Sequence, residues 1–189
     1  MGLKLTVPPT LPLVTLAEAK AWCNIDHDDD DVLVQAMIDG WSSWLDGYSG
    51  VVGQALSPQT YALTYDAFPN GTISLPIGPL MSVTSVAYVD SEGSTMTVPA
   101  LDYQADATEI EGRISPVNGW PATGATINAV TITFQAGYAL AACPEAIKTA
   151  LKMLVSATYE NRGAEIGGTF DAIPFPVKAF LMPYRRMHV

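Results

Sequence analysis

Apolar positions along the chain change their period twice. From Thr15 the spacing is helical: Leu16, Ala19, Trp22 and Cys23 share one face, and the TLAE tetrad is a capping box in which Thr15 and Glu18 satisfy each other's end of the first turn. This first helix ends near Asn24. A second helix starts within His27-Asp28-Asp29-Asp30-Asp31, where carboxylates oppose the positive helix N-terminus. Its apolar face is expected to be Leu33, Met37, Trp41, Trp44, Leu45 and Tyr48. From about Gln59 the period falls to two. TYALTYD, TISLPI, SVTSVAYVD, TMTVPA and AVTITFQAGY alternate or are rich in β-branched residues, and turn material such as Pro69-Asn70-Gly71 and Ser91-Glu92-Gly93 separates them. Five or six antiparallel strands are expected. Helical spacing returns after Cys143-Pro144, with Ile147, Ala150, Leu151, Leu154, Val155 and Thr158 on one face. A short last helix, PFPVKAFLM, is opened by Pro176 and stopped by Pro183; a loop containing Gly167-Gly168 precedes it.

The order helices, strands, helices predicts an α+β protein: a helical core of about four helices, two N-terminal and two C-terminal, with an inserted antiparallel β region. The expected parts are residues 1–58 for the N-terminal helical part, 59–142 for the β insertion, and 143–189 for the C-terminal helices and tail. The first ordered element is expected at Thr15, because three prolines interrupt MGLKLTVPPTLPLV and deny it the apolar run of a secretory signal.

Composition sharpens this picture. The 189 residues are 49% apolar and only 15% charged, with a net charge of −10. Such a chain folds, but its surface is poor in charge, which points to an interface with other subunits. The acidity excludes a sequence-independent grip on DNA, which depends on Lys and Arg against phosphates. The charge is divided: −6 over residues 1–60, −6 over 61–143 and +2 over 144–189. An acidic body thus carries a basic end. No stretch reaches the roughly 18 uninterrupted apolar residues of a membrane span. Cys23 and Cys143 lack metal or redox spacing and read as buried, reduced thiols.

Candidate chemistry is sparse. Asp26 to Asp31 is dense in oxygen ligands, but an EF-hand loop from Asp26 needs Gly at its sixth position and Glu at its twelfth, where Asp31 and Met37 stand. The run reads as a solvated helix start, with weak metal binding as the rival reading. His27 and His188 are the two histidines, and no GxSxG, P-loop or GxGxxG occurs. Asp66, Asp90, Asp102, Glu109 and Glu111 read as strand ends and turns rather than as an acid–base pair. No enzyme, cofactor or metal is expected. Trp41, Trp44, Val51 and Val52 are candidate subunit contacts. Tyr184-Arg185-Arg186-Met187-His188, basic and aromatic after a helix-stopping proline, reads as a tail that docks elsewhere.

The segments LAEAKAWCNIDHDDDDVLVQAMI, SPQTYALTYDAFPNGTISLPIGPLMSVTSVAYVD, CPEAIKTALKMLVSATYENRG and PFPVKAFLMPYRR, in this order, resemble the head-to-tail connector, or adaptor, family of tailed phages, prophages and gene transfer agents. Pro176 stands where the family has a small residue. The resemblance implies a structural virion protein that forms a ring, commonly dodecameric, beneath the portal. It implies that this ring extends the DNA channel and gives the tail its platform. The implied partners are the portal protein, a tail-side connector or stopper protein, and further copies of the chain; DNA is passing cargo, and no membrane is involved. The implied location is the head–tail interface of the virion, and the host bacterial cytoplasm before assembly. By position, portal docking falls to Pro183, Tyr184, Arg185, Arg186, Met187 and His188. The alternative reading is a carbohydrate- or protein-binding β module of a phage tail.

Overall fold

A computed structural model describes residues 1–139, 142–161 and 174–186. The chain divides into two compact units. One comprises residues 1–10 and 58–138, the other 11–57 and 139–189.

The first unit is all β. Strands β1 (Gly2–Val7), β2 (Gln59–Tyr65), β3 (Ile73–Ser74), β4 (Leu80–Val89), β5 (Thr95–Thr97), β6 (Tyr103–Asp106), β7 (Arg113–Pro116) and β8 (Val130–Ala136) form two sheets. The larger has the order β1-β2-β8-β4-β5 and the smaller β3-β7-β6, every pair antiparallel. Alternation decides the faces of the larger sheet. Tyr61, Leu63, Val130, Ile132, Phe134 and Val86 are buried, while their neighbours Thr60, Ala62, Thr64, Thr131, Thr133 and Gln135 are half-buried and uncharged. Tyr61 stacks on Phe134 at 5.9 Å across the β2–β8 pair. Ile73, Leu75, Ile77 and Ile114, from the region of the smaller sheet, are also fully or nearly fully buried.

Two features depart from expectation. The first ordered element is β1, which pairs with β2 from Gly2↔Thr64 to Val7↔Thr60 with a bulge at Thr6; the first residues therefore belong with the strands and not with the helices. Among the described residues the strands also number eight rather than five or six. The additional β6 and β7 are four residues each, too short to display a period.

An acidic turn anchors the β6–β7 hairpin. Asp106 accepts from the Thr108 hydroxyl (2.5 Å) and backbone N–H (2.9 Å), and from Arg113 Nε (2.9 Å). The Thr108 bonds, aided by Arg113, hold its carboxyl down at about 2. A depressed folded-state value contributes stability that is complete above the unfolded carboxylate value near 4 and is lost as the pH falls through about 2. Asp106→Asn is therefore expected to be less stable than the wild type at pH 7, with the gap closing between pH 4 and 2. Urea midpoints of both proteins at several pH values measure this, and a gap independent of pH would contradict it.

The second unit is helical: α1 (Leu16–Cys23), α2 (Asp31–Leu45), α3 (Glu145–Glu160) and α4 (Phe175–Leu181), the last followed by a 3₁₀ turn over Met182–Tyr184. The α1 capping box is formed, with Glu18 N–H donating to Thr15 Oγ1 and Thr15 N–H to Glu18. Asn24 ends the helix in the left-handed region at φ 55°. α3 lies against α1, α2 and α4 and buries Ile147, Ala150, Leu151, Leu154 and Val155 along one stripe. The α2 stripe differs from expectation: Val34, Ile38 and Leu45 are buried, while Leu33 is exposed. Val32-Leu33-Val34 and Met37-Ile38 offer two adjacent helical faces, and the one set by Val34 and Ile38 is the face that packs. On α4, Val177 and Leu181 are buried but Phe180 is 39% exposed. Among the described residues, no helix is long and apolar enough to cross a membrane.

Candidate functional site

The expected docking segment and the expected subunit contacts meet in the helical unit, at the loop that follows α2. The loop turns back over the end of its own helix. Val51 and Val52 N–H donate to the Trp44 and Leu45 carbonyls, at 3.0 and 3.2 Å, which satisfies carbonyls the helix end leaves open. Asp46, the C-cap, accepts from Leu56 N–H at 2.6 Å, and Gly47 N–H donates to the Gln54 carbonyl at 2.8 Å. Gly47 and Gly53 sit at φ 85° and 68°, which L side chains rarely adopt. The result is a closed loop in which residues 52–57 are all buried.

The C-terminal segment lies along this loop. Gln54 Nε2 donates to the Tyr184 carbonyl at 2.5 Å, and Arg186 N–H donates to the Val52 carbonyl at 2.8 Å. The order is reversed between the two partners, 52 with 186 and 54 with 184, as in an antiparallel pair. Tyr184 and Arg186 are half-buried, while Pro183 and Arg185 are exposed. The segment is thus held by its own chain at alternate residues. Met187 and His188 lie outside the described residues, as does the Gly167-Gly168 loop.

The four candidate subunit contacts separate. Trp41 and Trp44 are half-buried and meet edge to face at 5.4 Å. Trp41 Nε1 also donates to Thr158 Oγ1 at 2.9 Å, so its polar end is engaged on α3. Val51 is half-buried. Val52 is fully buried, which corrects its place among surface contacts: the turned-back loop puts its side chain inside. Sequence reasoning overlooked Phe175 and Met182, which are 80% and 68% exposed near the segment expected to dock. Their signal was present in FPVKAFLM, where a seven-residue helix cannot bury so many apolar residues.

The acidic run before α2 is consumed by its own chain. Lys20 Nζ lies 2.6 Å from Asp28 and 2.5 Å from Asp31, raising the lysine's proton affinity and lowering that of Asp28. Asp30, the N-cap, makes no side-chain capping bond; its Oδ2 accepts from Tyr159 on α3 at 2.6 Å. The run therefore ties α2 to α1 and α3. Among the described residues no group of three or more His, Cys, Asp or Glu is placed to hold a metal. In the β unit Asp66 and Asp90 accept from backbone N–H groups of turns, Asn128 for the first and Glu92 and Ser94 for the second. Burial raises both thiols, that of Cys143 to about 11, and both cysteines are free.

The alternative reading needs an aromatic recognition surface on the β unit. An open groove of about 390 Å³ is lined in part by Phe68, Pro69, Pro116 and Trp120. Trp120 is half-buried, stacks on Phe68 at 4.8 Å and donates its Nε1–H to the Gly71 carbonyl at 2.7 Å, so one ring face and its polar handle serve the loop.

Residues 13–94 match the family model described as "Phage gp6-like head-tail connector protein". No curated protein is significantly similar in sequence. Among solved structures, a chain of the neck of an empty gene transfer agent (GTA) particle, computed with C6 symmetry, is 22% identical with a TM-score of 0.73. A chain of the virion of a native gene transfer agent particle is similar at 0.72, and one of the native GTA neck, computed with C12 symmetry, at 0.62, both again 22% identical. Each likeness covers 100% of this chain and 97% of the other. The α+β fold read from the sequence is the fold these chains share.

Proposed function

We propose, from the connector match over residues 13–94, that this chain is a structural head–tail connector without catalytic activity. Copies form a ring in the neck of a phage-like particle, extend the DNA channel beneath the portal and give the tail side its platform. The family match is the observation that carries the reading; the likeness to neck chains over the whole length agrees with it.

The physical features suit this role. A net charge of −10 gives DNA no wall of Lys and Arg on which to stall. Phe175, Met182, Leu101 and Ile127 are 80%, 68%, 90% and 85% exposed, apolar surface that suits burial by neighbouring chains. Portal docking falls to residues 183–188. The bonds at Tyr184 and Arg186 fix the backbone there and leave Pro183 and Arg185 outward, a basic edge presented on a prepared support. In this reading Trp41 and Trp44 first stiffen the α2–α3 contact, and only their exposed parts and Val51 serve a neighbour.

Electron cryomicroscopy of particles from the source system tests the proposal. The expected result is a symmetric ring of this chain between portal and tail; a neck built entirely of other chains would sink it.

A further inference from the structure

Gln54 is a polar side chain in a place that an apolar one could fill. It is 1% exposed, in a stretch where Val52, Ala55 and Leu56 have no exposure at all. Taking a side-chain amide out of water costs free energy unless it is hydrogen-bonded, so the choice of residue calls for a partner. The loop itself is closed by other groups. Gly47 N–H donates to the Gln54 carbonyl, Val51 and Val52 N–H to the Trp44 and Leu45 carbonyls, and Leu56 N–H to the Asp46 carboxylate. None of these bonds uses the Gln54 side chain. Its Nε2 reaches out of the loop instead, to the Tyr184 carbonyl at 2.5 Å.

One donor and one acceptor set where the C-terminal segment lies. Gln54 supplies the donor, and the Val52 carbonyl accepts from Arg186 N–H at 2.8 Å. Such a pair suits any carbonyl followed two residues on by an N–H, so alone it would also take Pro183 and Arg185. That slip is opposed within the segment, because Arg185 N–H already donates to the Met182 carbonyl at 3.3 Å and closes the 3₁₀ turn. A slip of one residue would also exchange the two sides of the segment. The observed register leaves Arg185 exposed and Arg186 half-buried.

We propose that Gln54 is the positioning residue of the docking segment: its buried amide holds Tyr184 in the register that turns Arg185 to the outside. This rests on the docking reading above and adds the group that prepares the surface. Without the amide, the segment keeps one of these two bonds, and a portal that takes the seated form finds a smaller fraction of copies ready.

Hydrogen exchange and portal co-sedimentation of the full chain test this together. In Gln54→Met, similar in length but without a donor, Arg186 N–H should lose roughly two- to tenfold in protection, the equivalent of one hydrogen bond, while the amides of α3 keep theirs. Gln54→Glu should lose more at pH 8, where a carboxylate faces the Tyr184 carbonyl. It should regain protection as the pH falls and the carboxyl takes up a proton it can donate. Gln54→Met should show no such recovery, and the wild type over the same range controls for Asp46 in the same loop. Portal affinity should fall with the seated fraction, hence most in Gln54→Glu at pH 8. Unchanged Arg186 protection in both variants, or a loss spread equally over α3, would overturn the positioning role and leave the docking reading standing. An Arg186 amide left unprotected in Gln54→Glu at pH 8, with portal binding as in the wild type, would overturn the docking reading and the positioning role with it.

Discussion

Gly50→Ala should destabilise the helical unit by about 3 kcal/mol, the upper part of the range for overpacking a closed site. A Cβ there would stand 2.2 Å from the Asp46 carbonyl oxygen and 2.5 Å from that of Leu45. Both neighbours are backbone and neither can yield cheaply: Leu45 is fully buried, and the Asp46 carboxylate is tied to Leu56 N–H. The damage extends beyond the loop, because the rail for the C-terminal segment, Val52 and Gln54, is built on it. Gly40 is the natural control. It lies inside α2 with nothing within 4 Å of an added Cβ, so Gly40→Ala should gain up to about 1 kcal/mol of helix propensity. Urea denaturation followed by circular dichroism compares the two. Equal midpoints for Gly50→Ala and wild type would mean that the loop is not the tight closure described here.

What the sequence made legible was local. The α1 capping box is four consecutive residues, and the α3 stripe repeats over four turns with Pro144 marking its start, so neither depends on distant chain. The long strands β2, β4 and β8 were readable for the same reason. β1 was not, because its partner lies some sixty residues away and the prolines that follow it suggest an irregular start. The α2 face was ambiguous because five apolar residues at 32–34 and 37–38 serve two faces, and only packing chooses. The candidate site shows the limit most clearly. Gly-Val-Val-Gly looks like exposed apolar loop until Gly53 at positive φ folds it over and buries Val52. The bond from Gln54 to Tyr184 spans 130 residues and ends on a backbone carbonyl, for which no side-chain pattern exists. The basic, aromatic composition of residues 184–186 is what suggests docking; the segment's support on the chain's own loop could be read only from the fold.

That support decides how the docking proposal must be tested. Deleting residues 183–189 should abolish attachment to the portal, but it also takes one hydrogen-bond partner each from the Val52 carbonyl and the Gln54 amide. Losing a hydrogen bond costs about 0.5–1.5 kcal/mol, so the deletion alone confounds docking with folding. Arg185→Glu separates them. Arg185 is exposed and its side chain makes neither of the two anchoring bonds, so the variant leaves both in place, and its melting profile is measured beside its binding to score folding separately. Reversing an arginine at the centre of an interface is expected to cost at least about 2 kcal/mol of binding, close to thirtyfold in affinity. Co-sedimentation of the variant with portal rings, or the count of tailed particles in a complemented strain, reads the loss directly. If Arg185→Glu binds as the wild type does while Phe175→Ala or Met182→Ala releases the portal, the docking face is the apolar surface of α4 and its 3₁₀ turn rather than the basic edge. If all three bind normally, the portal is held elsewhere on the chain, and the bonds from Gln54 and Val52 serve only to finish the fold.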